Sequence, residues 1–262
     1  MTSTPRVPLQ IAPDLSFAAS MLFSVATGAR LLHVARKTRG LPEAAVGSTC
    51  LVLSLAGALD ALAKSRVESQ TWEACIRLSH AAYSVTAALT FLATQRLFRA
   101  QRRWAEALAR TGTAGLLIAA GFVLMVGSYM DRSSSLNGTP SAHVYMAGLY
   151  IRLIAYFWLA VEAGLAFRDG RRSLRFGLVE PLVVQQFLLW GLSAAAMFTG
   201  VLFTVCVRSL YGTAATSSAV GLYVFALLTL TGSSASWLAF FPPQVYVRRL
   251  ESRMTKGPDD AE

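Results

Sequence analysis

Seven runs of predominantly apolar residues dominate the sequence, at about 15–35, 43–63, 72–95, 107–130, 143–167, 180–207 and 217–241. At 1.5 Å per residue each is long enough to cross a hydrocarbon core of roughly 30 Å as a helix. In lipid every backbone N–H and C=O has to be satisfied by protein, so only helices and closed barrels span. The alternating strands of about ten residues that a barrel requires are absent. The pattern predicts an all-α fold, a polytopic membrane protein whose seven transmembrane helices form one bundle.

Composition agrees. Apolar residues make up 54% of the 262 residues and charged residues 15%, where soluble domains approach a quarter charged. Mean hydropathy is +0.48. These values exclude a cytosolic enzyme, a DNA-binding protein and a secreted disulfide scaffold. The net charge of +10 would suit nucleic acid as a partner, but the bases fall in short clusters between apolar runs, so the partner implied is the lipid bilayer and no nucleic acid. Of the 24 bases only Lys37, Lys64 and Lys256 are lysines, and Asn137 is the single asparagine. That bias is what a GC-rich bacterial coding sequence produces. Cys50, Cys75 and Cys206 lie in apolar runs without metal-binding spacing. Free thiols are expected, with a Cys75–Cys206 bridge as the alternative.

The bases also orient the chain. Fifteen of them fall in the first, third and fifth loops and the C-terminal tail: Arg36, Lys37 and Arg39; Arg96, Arg99, Arg102 and Arg103; Arg168, Arg171, Arg172 and Arg175; Arg248, Arg249, Arg253 and Lys256. Five, namely Arg6, Lys64, Arg66, Arg132 and Arg208, fall on the opposite side, and Arg30, Arg77, Arg110 and Arg152 lie within the runs. Cytoplasmic loops carry the Lys/Arg excess, which predicts an outer N-terminus and an inner C-terminus in the cell inner (plasma) membrane. The organisation is then an outer tail (1–14), a seven-helix domain (15–241) and a cytoplasmic tail (242–262). With Arg6 as the only base before the first run, no cleaved signal peptide is expected. Tyr246, Leu250 and Met254 recur every four residues after Pro242 and Pro243. They fit either an amphipathic helix on the inner leaflet or a plain basic tail.

Ionisable residues inside a membrane are costly and mark candidate sites. Glu73, Arg77 and His80 are spaced to share one helix face. Asp60 and Arg77 lie at matching depths of about 6–7 Å and form a natural ion pair, which Glu73 can join. Arg152 lies about 13 Å deep, near the midplane, with Tyr156 one turn on and Trp190 at a similar depth on the next segment. These seven residues define an outward-facing polar and aromatic site for a small anionic ligand, or a self-neutralised network that only fixes helix register. A second set, Arg30, Glu162, Glu180, Gln185 and Gln186, lies toward the inner side.

Other chemistries find no residues. No lysine is placed to form a retinal Schiff base, and His33, His80 and His143 do not converge on a metal. No hydrolase or phosphate-loop motif is present, so no catalytic residue and no cofactor is implied. The stretch from Ala35 to Glu43 and the ending Trp237-Leu238-Ala239-Phe240-Phe241-Pro242-Pro243-Gln244-Val245-Tyr246 resemble segments of uncharacterised seven-helix integral membrane proteins of GC-rich bacteria. That resemblance implies a fold and no activity. Two functions stay open: a small-ligand sensor acting through a cytoplasmic protein partner, or a small-solute transporter with a three-plus-one-plus-three helix arrangement. The transporter reading is prompted by glutamates that follow a basic loop into two helices, at Glu43 and Glu180.

Reporter fusions check the orientation. Fusions after Thr139, Gly170 and Glu262 should read outside, inside and inside, and a periplasmic signal from the last would overturn the assignment.

Overall fold

A computed structural model describes residues 11–64, 68–126, 140–174, 176–211 and 218–246. Among the described residues there are seven long helices and no strand: α1 (Ile11–Thr38), α2 (Leu41–Lys64), α3 (Ser69–Phe98), α4 (Arg103–Val126), α5 (Pro140–Leu174), α6 (Pro181–Tyr211) and α7 (Ala219–Phe240). A helical turn follows at 244–246. The proposed amphipathic tail helix lies mostly outside the described residues.

Six of these helices (α1, α2, α4, α5, α6 and α7) are long and apolar enough to cross a membrane by length and composition. The chain is accordingly a multi-pass membrane protein. α3 is the exception, because Ser, Thr, His and charged residues interrupt its apolar positions.

Local signals set the helix ends. Pro42, Pro140 and Pro181 occupy the first two positions of α2, α5 and α6, where a missing N–H costs nothing. Ser218 caps α7, its Oγ accepting from the Gly221 N–H at 3.0 Å. Arg39 closes α1 with φ of 53°. α5 has 35 residues, about 52 Å at 1.5 Å each, so it outruns the hydrocarbon. Arg168, Arg171 and Arg172, expected in a loop, are therefore on its last turns. α6 likewise continues to Tyr211, which moves Arg208 from the expected outer loop into a helix, where it is buried.

The helices pack as a closed ring, α1–α2–α3–α5–α6–α7 and back to α1, with α4 outside it against α3 and α5. Small residues permit the close approaches. A Cβ on Gly28 would come within 2.9 Å of the Gly47 carbonyl of α2. A Cβ on Gly191 would meet the Ala163 methyl of α5 at 3.6 Å. α3 is the most enclosed helix, and its hydroxyls are satisfied along its own backbone. Ser84, Thr86, Thr90 and Thr94 donate to the carbonyls of His80, Ala82, Thr86 and Thr90 at 2.8–3.0 Å. Bonding back to the carbonyl four residues earlier lets a polar helix sit among apolar neighbours without stranded hydroxyls. One apolar cluster around Ile76, Val123, Tyr145 and Leu149 and a second around Phe91, Leu116, Tyr156 and Trp158 complete the core.

Gly112 tests this packing. A Cβ there would lie 2.6–3.0 Å from three ring atoms of Phe91, itself 1% exposed. Gly112→Val should destabilise the protein by roughly 1–3 kcal/mol through overpacking, and adding Phe91→Leu should return part of the loss in thermal unfolding.

Candidate functional site

Twelve residues into α5, the side chain of Arg152 is enclosed by α3 and is 5% exposed. Its Nη2 donates to His80 Nδ1 at 2.6 Å, to the His80 carbonyl at 3.2 Å and to Ser84 Oγ at 3.0 Å. A guanidinium only donates, so Nδ1 must accept and His80 is the neutral tautomer carrying its proton on Nε2. Ser84 in turn donates to the His80 carbonyl at 2.9 Å, so its hydroxyl both gives and receives. The Tyr83 ring lies 5.9 Å from the guanidinium carbon. Gly148 sits one turn before Arg152, and a Cβ there would touch the His80 ring at 3.6 Å.

Tyr145 extends this cluster toward the start of α5. Its ring centre is 5.2 Å from that of His80 and 4.9 Å from the guanidinium carbon of Arg208. Two buried arginines thus flank one His–Tyr pair. The Tyr83 hydroxyl lies within electrostatic reach of Asp60, Arg152, Tyr145 and Tyr156.

Of the seven residues proposed from sequence, Arg152 and His80 meet directly. The expected Asp60–Arg77 pair does not form: Arg77 pairs with Glu73, one turn earlier on its own helix, and donates to the Leu124 carbonyl of α4 at 3.2 Å. Matched depth was a poor guide because Arg77 turns toward α4. Tyr156 packs in the apolar cluster around Phe91 and Leu116. Trp190 is not part of this site. It faces Phe98 at the far end of α3, 18 residues and about 27 Å along the axis from His80. The depth itself was misjudged: Gly191, next to Trp190, meets Ala163 of α5, eleven residues and about 17 Å along the axis from Arg152.

Sequence reasoning missed Ser84, Tyr83, Tyr145 and Arg208. Ser84 continues the spacing of Glu73, Arg77 and His80 by one more turn, which is the signal that would have found it. Arg208 was hidden by the helix boundary.

The inner set is rearranged as well. Arg99, just beyond α3, donates through Nε to Glu162 Oε1 of α5 at 2.8 Å, and Trp158 Nε1 donates to the same oxygen at 3.1 Å. The Glu162 bond and charge raise the Arg99 pKa above its ordinary value. Arg30, the alternative partner, lies over the Phe241 ring at 4.1 Å. Cys50, Cys75 and Cys206 are free. Among the described residues no group of three His, Cys, Asp or Glu is placed to hold a metal.

Glu162 is buried and Arg99 keeps a third of its side chain in solvent. Arg99→Met should therefore cost roughly 1–2 kcal/mol, less than a fully buried pair. Arg99→Met with Glu162→Gln should lose less than Arg99→Met alone, because the amide removes the stranded charge and still accepts from Trp158. Equal losses in chemical denaturation would overturn this pairing.

No protein-family model, no curated protein and no solved structure matches this chain.

Proposed function

We propose that the protein is a seven-span sensor of the bacterial inner membrane that binds a small anion at Arg152 and signals to a cytoplasmic partner. The reading takes the N-terminus as outside and the C-terminus inside, as the loop bases favour. The observation that carries it is the state of the Arg152 guanidinium. It is buried, its bonds go to neutral acceptors, and its Nε–H has no acceptor among the described residues. A buried charge ordinarily has a counter-charge, and a buried N–H ordinarily has an acceptor. A small anion supplies both, within reach of the Tyr83, Tyr145 and Arg208 side chains.

Signalling is supported by the two clasps between α3 and α5. Arg152 with His80 and Ser84 holds their outer halves, and Arg99 with Glu162 holds their inner ends. An anion that drew Arg152 away from His80 would loosen the outer clasp of a helix pair whose other end carries the basic segments at Arg96–Arg103 and Arg168–Arg172. Exposed bases there suit an acidic partner surface.

Transport of a small solute is the second reading, and the ring favours it. Two three-helix arcs, α1–α2–α3 and α5–α6–α7, meet at α3·α5 and α1·α7, and α4 stands outside as a connecting helix. Such contacts support a three-plus-one-plus-three arrangement.

A thermal-shift screen with phosphate, sulfate, pyruvate and benzoate tests the anion site. At 100-fold excess over Kd a ligand stabilises by about 2.7 kcal/mol, which should raise the wild-type Tm by a few degrees. Arg152→Met should fold and show no shift. An equal shift in both proteins, or none in wild type, counts against the site. Uptake of the active anion into proteoliposomes would favour transport over sensing.

A further inference from the structure

A cavity lies at the other end of the bundle from Arg152, beside the basic segments and about 25 Å along α3 from His80. Its volume is about 240 Å³, and Leu97, Phe98, Gln186, Phe187 and Trp190 line it. α3 and α6 are not neighbours in the ring, so aromatic side chains rather than backbone close the space between them. The Trp190 ring stands edge-on to Phe98 and to Phe187, with interplanar angles of 87° and centres 6.5 and 6.2 Å apart. Phe98 and Phe187 meet at 6.0 Å, and Phe240 of α7 backs the indole at 5.5 Å. Such edge-on packing exposes ring faces on which a flat molecule can stack.

The wall carries no charge, and its polar groups are two. Trp190 Nε1–H is buried with no acceptor among the described residues. Gln186 lies one turn before Trp190 on the same face of α6, and its amide lines the same cavity. A buried donor without an acceptor bears the full cost of its desolvation, and native structures normally provide the missing acceptor. Trp190 sits nine residues into α6, about 14 Å from its start.

We infer that this cavity is a binding site for a neutral, flat aromatic carbonyl compound, stacked among Phe98, Phe187 and Trp190, whose oxygen accepts from Trp190 Nε1–H and the Gln186 amide. Among the described residues no charged side chain lines the wall, which separates it from an anion site, and the unmatched Trp190 N–H separates it from a site for plain hydrocarbon. It is independent of the Arg152 reading and stands or falls apart from it.

Binding of 1-acetonaphthone and of 1-ethylnaphthalene to the full-length protein in lipid nanodiscs tests the assignment. The two probes share a ring system, and only the first carries a carbonyl. Wild type should bind the ketone saturably and about fivefold or more tightly than the hydrocarbon, the value of one net hydrogen bond. Trp190→Phe, which keeps a ring and removes the N–H, should bring the two affinities together, and Gln186→Leu should narrow the gap. Equal affinity of both probes for wild type, no saturable binding of the ketone, or an undiminished preference in both variants would overturn the proposal. The wild-type comparison needs no variant, so a Trp190→Phe protein that failed to fold would leave the test intact.

Discussion

α3 carries Glu73, Arg77, His80 and a run of Ser and Thr through the middle of a bundle whose surroundings are hydrocarbon. An unsatisfied polar group there costs several kcal/mol. Two responses to that cost are built into the structure. Hydroxyls bond back along the helix, and the charged groups are met from outside by α4 and α5. α2, α4 and α5 enclose α3, so the helix least suited to lipid is the one most removed from it.

The same enclosure makes the candidate site. Arg152 needs acceptors at mid-depth, and α3 offers a ring nitrogen, a carbonyl and a hydroxyl within one turn. All three are neutral. The guanidinium is thus held in place without being neutralised, in contrast to Arg77 and Arg99, which both pair with carboxylates. A buried cation that is fixed but electrostatically incomplete is suited to a ligand of opposite charge, whereas a completed pair is suited to holding helices in register. This bundle uses both kinds of arginine on one helix pair.

The ring also separates two environments. Around Arg152 the neighbours are His80, Tyr83, Tyr145 and Arg208, a cationic and phenolic setting. Around Trp190 they are phenylalanines and one amide. About 25 Å of α3 lies between the two, and the Phe91, Leu116 and Trp158 cluster fills part of that distance.

Helix class and approximate placement were legible in the sequence, because long apolar runs leave the backbone no other way to satisfy its hydrogen bonds in lipid. Arg152 and His80 were legible as polar groups in need of partners for the same reason: a charged or titratable group at mid-depth needs a stated cause. The pairing of those groups was not legible. Depth along a helix follows from counting residues, but the direction a side chain faces depends on where its helix stands in the ring. Depth alone therefore joined Arg77 to Asp60, and a misjudged depth joined Trp190 to Arg152. The structure turned Arg77 toward Glu73 and α4, and put Trp190 against the far end of α3. Arg208 shows the boundary problem, since an extra turn of α6 converts a loop base into a buried cation. Sequence by itself determined which residues meet lipid and which polar groups require partners. Tertiary structure decided who the partners are, because azimuth around a bundle is set by packing between helices and leaves no mark in the spacing along any one of them.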